Sequence, residues 1–264
     1  MTAPHDLAPA PFPAPAAPVQ PPRYSVRLAS DETEVRAAQR LRHQVFAGEM
    51  GAVLHTITPG LDADPFDEHC DHLLVTDENT GTVVGTYRLL PPVAAARLGR
   101  TYSDGEFDLG NLAALRADTV EVGRSCIHPD HRDGAVIGLM WGGILRYLLD
   151  SGNTVVAGCC SIPLADGGSL AAGVWDRVAA KHLAPREYRV RPHRPWDPAG
   201  VPRPVRSTLP ALLRGYLRLG ARVCGEPAHD PDFGVADLYV LLSLDRTDPR
   251  YLRHFMSLGP ERPA

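Results

Sequence analysis

Residues 119–149 constrain the fold of this chain more than any other stretch. They open with Thr-Val-Glu-Val-Gly-Arg-Ser-Cys-Ile, rich in β-formers, and pass through His-Pro-Asp-His-Arg-Asp-Gly. Pro129, Asp130, Asp133 and Gly134 mark that middle part as a turn. From Ala135 the chain carries Ile137, Leu139, Met140, Trp141, Ile144, Leu145, Leu148 and Leu149, which predicts a helix apolar on nearly every side and therefore buried. A strand, a tight loop and a buried helix in that order aim backbone N–H groups at an anion. Glu121 and Arg124 stand three residues apart inside the strand, a pattern that points to an enzyme site.

The remaining elements arrange themselves around this unit. Residues 1–22 hold Pro, Ala and scattered polar residues, too little apolar surface to offset their ordering entropy, so a disordered tail is expected. The tail lacks the basic start and apolar core of a secretory signal. Residues 23–264 are expected to form a single domain. A strand is predicted over 23–28, and a helix capped by Ser30 or Asp31, with Glu34 completing the box, over the following residues to about 49. Strands at 72–76 and 83–89 flank a turn at Asn79-Thr80-Gly81. A short helix at 94–98 follows, then the central unit, a buried strand at 153–160 and a helix at 169–183. The Arg- and Pro-rich segment 185–210 has no period and reads as a long loop. A helix at 209–219 ended by Gly220, strands at 221–224 and 235–244, and a last helix at 250–258 complete the chain. This order predicts an α/β (α+β) mixed sheet flanked by helices.

Several chemistries are set aside on spacing. No dinucleotide or Walker glycine pattern follows any strand, and neither Ser125 nor Ser161 lies in a Gly-x-Ser-x-Gly elbow. His69, Cys70, Asp71 and His72 lack a second ligand group at zinc spacing, so no metal is expected. Cys126, Cys159 and Cys160 fall in apolar strands, where thiols are packing groups. Five Cys without a Cys-x-x-Cys fit a reducing compartment, and the chain is expected to be cytoplasmic. Asp64 and Asp67, close together in a turn-rich loop, suggest a site for a cation or amine.

The order of elements resembles the GNAT (Gcn5-related) N-acyltransferase superfamily over nearly the whole chain after the Pro-rich tail. Within it, Arg42-His-Gln-Val-Phe46, Asp64-Pro-Phe-Asp67, Gly85-Thr-Tyr-Arg88-Leu-Leu and Glu121-Val-Gly-Arg124 resemble the invariant positions of acyl-homoserine-lactone synthases. Four further stretches are more similar to ornithine-lipid N-acyltransferases of the haemolysin-like kind. They are Cys70-Asp71-His72-Leu73-Leu74-Val75, Glu106-Phe107-Asp108-Leu109, Gly123-Arg124-Ser125-Cys126-Ile127-His128-Pro129 and Leu213-Arg-Gly-Tyr-Leu-Arg-Leu-Gly220. Gly51-Ala52 stand where the lactone synthases carry a Trp, which argues against lactone synthesis. The superfamily's pyrophosphate loop is only partly met by Arg132, Asp133, Gly134 and Ala135, a departure that a carrier-protein donor with a single phosphodiester tolerates.

The resemblance implies a GNAT-like fold with splayed central strands. It implies transfer of a fatty acyl group, 3-hydroxyacyl by family habit, from the phosphopantetheine of acyl carrier protein to the α-amine of ornithine, giving lyso-ornithine lipid. No cofactor is expected to be bound. Glu121 is then the general base, with Arg124 beside it. Arg42, Phe46, Asp64, Asp67 and Arg88 would bind the amino acid, the two aspartates holding its cationic part. Ser125, Cys126, Ile127 and residues Arg132, Asp133, Gly134 and Ala135 would line the acyl and pantetheine path. A competing role for Glu121 and Arg124 is a structural ion pair. Two other functions share these motifs: an N-acyl amino acid synthase for another amine, and a non-catalytic lipid-binding member.

Charge distribution adds a partner. Between 185 and 222 lie nine Arg (186, 189, 191, 194, 203, 206, 214, 218 and 222) against Glu187 and Asp197, in a chain of net charge −4. Such a face suits an acidic carrier protein and the inner face of the membrane, and no nucleic acid is expected because a reading motif is lacking. One geometric expectation follows from strand parity. Glu121 and Arg124 point to opposite faces of a regular strand, so a shared site needs an irregularity, for which Gly123 is the candidate. The same irregularity would part this strand from the one at 153–160, with 132–135 at the phosphate end of the opening.

Overall fold

The computed structural model describes residues 23–206, 208–247 and 249–256. The tail expected to be disordered, residues 1–22, lies outside them, as do the last residues of the expected final helix. In chain order, β1 (Tyr24–Leu28) leads to α1 (Glu32–His43), β2 (Asp71–Asp77), β3 (Thr82–Leu90), α2 (Pro92–Leu98), β4 (Phe107–Asp108) and β5 (Thr119–Ile127). Then come α3 (Ala135–Ser151), β6 (Val155–Pro163), α4 (Ser169–Lys181), β7 (Arg191–Pro192), α5 (Ala211–Arg218), β8 (Arg222–Val223), β9 (Ala228–Asp230), β10 (Val235–Ser243) and α6 (Pro249–Met256). The main sheet runs β1-β2-β3-β5-β6-β10-β8, with β9 also on β10. Every pairing in it is antiparallel except β5 with β6, which α3 connects. This is the mixed sheet that the order of elements predicts.

Local chemistry explains the ends of α1. The Asp31 side chain accepts from Glu34 N at 3.0 Å, and the Glu34 carboxylate accepts from Ser30 N at 2.8 Å, so both candidate caps take part. Beyond His43 the helix widens into a π turn over Gln44–Glu49, which places Phe46 beside the sheet. One face of α3 is buried throughout: Val136, Met140, Ile144 and Leu148 are at most 1% exposed, each worth roughly 1.5–3 kcal/mol of burial. Leu149, expected to be buried with them, falls on the outer side and is 55% exposed. Gly85 of β3 backs onto Val136 and Met140, whereas Arg88 of the same strand reaches the loop beside α1. The difference in parity puts α3 and α1 on opposite faces of the sheet.

The central strands part early. The β5–β6 ladder joins only Thr119↔Val155, Val120↔Val156 and Glu121↔Ala157, and both strands continue beyond it. Gly158 sits where they diverge, and a Cβ there would lie 2.0 Å from the Val122 carbonyl oxygen. On its other edge β5 carries a bulge: Thr86 faces Cys126 and Arg88 faces Gly123, so Arg124 and Ser125 together oppose Tyr87.

Two short pairings escape prediction. Segment 185–210 is not wholly irregular, because β7 pairs with β4. β9 likewise lacks the length to show a period in sequence. No helix among the described residues is long and apolar enough to cross a membrane.

Candidate active site

Three guanidinium groups and three carboxylates lock the loop after α1 onto the sheet. Fully buried Arg42 donates from Nε to Asp62 at 2.9 Å and from Nη2 to Asp67 at 2.6 Å. Arg88 donates from Nη1 to Asp64 at 2.6 Å and Asp67 at 3.0 Å. Arg124 completes the set, 3.3 Å from Asp62 and 3.5 Å from Asp64. Burial raises the Asp67 pKa, but Arg42 and Arg88 overcome it and hold the carboxyl well below its ordinary value. The expectation that Asp64 and Asp67 hold a cationic substrate is therefore corrected. Both already face the protein's own arginines, and neither they nor Arg42 line the cavity described next.

That cavity, of about 210 Å³, opens where β5 leaves β6. Phe46, Arg88, Glu121, Arg124 and Ser125 from the expected set line it. The bulge brings Glu121 and Arg124 to one side, as strand parity demanded, but Gly123 is not its origin. A Cβ on Gly123 would meet nothing within 4 Å, whereas Arg124 itself has φ 51°. A non-glycine residue in that left-handed region costs about 1–2 kcal/mol, so its surroundings must hold it. They do: its guanidinium lies 4.7 Å from the Tyr102 ring centroid and 4.9 Å from that of Phe233, and Nη1 donates to Tyr102 Oη at 3.1 Å.

Glu121 is 6% exposed and accepts from Tyr102 N at 2.7 Å and Ser103 N at 2.8 Å. Desolvation raises its pKa, against hydrogen bonds from Ser103 and Tyr102 that lower it. The alternative structural ion pair between Glu121 and Arg124 is not formed; Tyr102 stands between them, its N–H donating to Glu121 and its hydroxyl oxygen accepting from Arg124. A buried carboxylate of raised pKa on a cavity wall is suited to taking a proton.

The expected acyl and pantetheine residues are divided. Ser125 lines the cavity; Cys126 packs with Leu41, Val45 and Phe46 instead, and Ile127 pairs with Gly85. Arg132 donates to the Glu49 carboxylate at 2.6 and 2.7 Å, and Asp133 caps Ala135 N at 2.9 Å. Residues Arg132, Asp133, Gly134 and Ala135 thus stand at the start of α3, outside the cavity lining. The Cys126 and Cys160 thiols are pushed up to about 12 by burial, and burial with the nearby Glu106 and Asp237 raises that of Cys159 well above its ordinary value, so all three stay protonated near neutrality.

Sequence reasoning missed an acidic group on the same cavity. Glu106, Asp230 and Asp237 each place a carboxylate oxygen within 4.8 Å of the others. Burial first, and mutual repulsion next, raise the pKa of Glu106; burial also raises that of Asp237. A signal was present: Asp237 interrupts the otherwise apolar Val-Ala-Asp-Leu-Tyr-Val-Leu-Leu run of β10, where an acid needs a reason to be buried.

Comparison with known proteins agrees with this architecture. Residues 41–142 match the model of an acetyltransferase (GNAT) domain. The L-ornithine N(alpha)-acyltransferase of Rhodobacter capsulatus is 37% identical over 234 residues, covering 83% of this chain and 89% of that protein. The enzyme of the same name from Brucella abortus is 33% identical over 246 residues, covering 87% and 88%. Among solved structures, the CoA-dependent acyl-homoserine lactone synthase BjaI, with SAM and isopentyl-CoA, superposes with a TM-score of 0.52 at 16% identity. The superposition covers 92% of this chain and 95% of that one, which shows a shared fold.

Proposed function

The chain belongs to the L-ornithine N(alpha)-acyltransferase family, and from that premise we propose that it moves a fatty acyl group from acyl carrier protein to the α-amine of ornithine. The single observation that carries this reading is the fork between β5 and β6, with buried Glu121 on its wall. An extended thioester arm needs such an opening between strands, and an amine needs a base beside it.

In this mechanism Glu121 takes a proton from the α-ammonium, and the neutral nitrogen attacks the thioester carbon. The N–C bond forms to give a tetrahedral oxyanion, the nitrogen releases its second proton to solvent, and the C–S bond then breaks as the departing thiolate takes the proton held by Glu121. The parting strand leaves the β6-facing edge of β5 open beyond Glu121, where backbone N–H groups can meet the oxyanion. Arg88 and Arg124, whose charges are shared with the aspartate loop, fix the wall rather than carry chemistry.

The donor reading rests on the basic face. All nine arginines between 186 and 222 are exposed, and two of them, Arg191 and Arg203, are paired with Asp108 and Asp176. α5 joins this face to the site: Leu212 lines the cavity while Arg214 and Arg218 on the same helix stay exposed. An acidic carrier protein docked there would deliver its acyl arm toward the fork, and the same face suits the anionic inner surface of a membrane. The acyl group is 3-hydroxyacyl in this reading, and the phosphopantetheine travels with the carrier, so no cofactor is resident. Incubation with 3-hydroxyacyl carrier protein and a panel of amino acids, read by mass spectrometry, tests the proposal. Acylated ornithine is expected; acylation of a different amine, or hydrolysis alone, would overturn it.

A further inference from the structure

Two kinds of acidic group stand near the site, one in the arginine-bound loop outside the cavity lining and one on the cavity wall itself. Asp62, Asp64 and Asp67 are balanced by Arg42, Arg88 and Arg124. Glu106, Asp230 and Asp237 form no salt bridge with any Lys, Arg or His among the described residues, although all three line the cavity. Asp237 is 2% exposed and its Oδ1 has no hydrogen-bond partner, an expensive condition for a carboxylate unless something completes it. Asp230 is held in place from below: its Oδ1 accepts from Asp232 N at 2.9 Å and Phe233 N at 3.2 Å.

We propose that Glu106, Asp230 and Asp237 are the pocket for the terminal ammonium of the acceptor's side chain, and so select a diamino acid. This rests on the ornithine reading above and names the part of the site that recognises its second amine. An ammonium presents three N–H donors and no acceptor, which matches three carboxylates one to one. A calcium ion would ask for six to eight oxygens, of which this group supplies three. The position also fits. Cys159 Sγ lies 3.6 Å from Glu106 Oε2 and 3.3 Å from Ser103 Oγ, and Ser103 N donates to Glu121 at 2.8 Å. The acidic trio is thus two residues removed from the proposed base, so one amine of a short diamino acid meets Glu121 while the other meets the trio.

The test compares ornithine with norvaline, which has the same carbon chain and no terminal amine, in the full-length protein with 3-hydroxyacyl carrier protein as donor. Wild type is expected to favour ornithine in kcat/KM by about a hundredfold or more, the scale of an unpaired buried charge. In Asp237→Asn and in Glu106→Gln that ratio should fall to about tenfold or less. Residual norvaline turnover reports that each variant is folded, and Glu106→Gln carries the test should Asp237→Asn not fold. A ratio that stays at the wild-type value while both rates fall in parallel would make the trio structural and overturn the assignment. Wild-type activity that a chelator abolishes and manganese restores, with the variants insensitive to both, would make it a metal site instead. Failure of wild type to acylate ornithine while it acylates another amine would remove the functional reading itself, and the assignment with it.

Discussion

Replacing Asp67 by Asn probes the buried ionic network that shapes the site. Asp67 is 7% exposed and takes three side-chain hydrogen bonds: Gln39 Nε2 at 2.9 Å, Arg42 Nη2 at 2.6 Å and Arg88 Nη1 at 3.0 Å. Asn keeps the shape but removes the charge, leaving two buried guanidinium groups short of a counterion. Breaking a buried pair by removing one partner costs about 3–5 kcal/mol, against roughly 5–15 kcal/mol of total stability for a folded protein. The variant should therefore fold, with a urea midpoint lowered accordingly at neutral pH. The pH dependence follows from the lowered pKa of Asp67. A carboxyl whose folded pKa lies below its unfolded value of about 3.9 contributes fully above that value, and the contribution is lost as pH falls through the folded pKa. The gap between wild type and Asp67→Asn should thus be widest near neutrality and close below about pH 4. A difference under about 1 kcal/mol at neutral pH, or one that does not shrink in acid, would refute the network's stabilising role.

Glu121→Gln should lower turnover about a hundredfold or more with the fold retained, and should remove the acidic limb of the rate profile, since only ionised Glu121 accepts a proton. Near-normal turnover across the pH series would exclude Glu121 as the base. Gly158→Ala drives a Cβ to 2.0 Å from the Val122 carbonyl oxygen and should cost about 1–3 kcal/mol in urea denaturation while disturbing turnover at the fork; wild-type stability would refute so close an approach. Acyl carrier protein should be preferred to acyl-CoA, with the preference falling as salt rises, because the docking is charge-driven. Equal rates with both donors, insensitive to salt, would remove the role given to the arginine face.

Most of the scaffold was legible because it is written in period and punctuation. The alternation of β1, the cap at Asp31 and Glu34, and the apolar run of α3 each act within a few residues of themselves. Parity alone required a bulge between Glu121 and Arg124. It did not say which residue would bend, because the bend depends on the Tyr102 and Phe233 rings that grip Arg124 from elsewhere in the chain. The aspartates were legible as a cluster and not as a satisfied one. Their partners, Arg42, Arg88 and Arg124, come from a helix and two strands far apart in sequence. Glu106, Asp230 and Asp237 were hidden for the same reason: they come from three separate segments, and only the fold makes their charges add. Arg132 and its loop resembled a phosphate site in spelling, yet the Glu49 carboxylate occupies that guanidinium.

The central claim is that the α-nitrogen of ornithine, deprotonated by Glu121 at the β5–β6 fork, receives the acyl group from carrier protein. Its most direct test is tandem mass spectrometry of the product formed from 3-hydroxyacyl carrier protein and ornithine carrying heavy nitrogen at the α-position. The account predicts that wild type places the heavy nitrogen in the new amide, and that Glu121→Gln forms this product about a hundredfold more slowly or worse. An amide on the unlabelled terminal nitrogen, or equal rates in the two proteins, would contradict it.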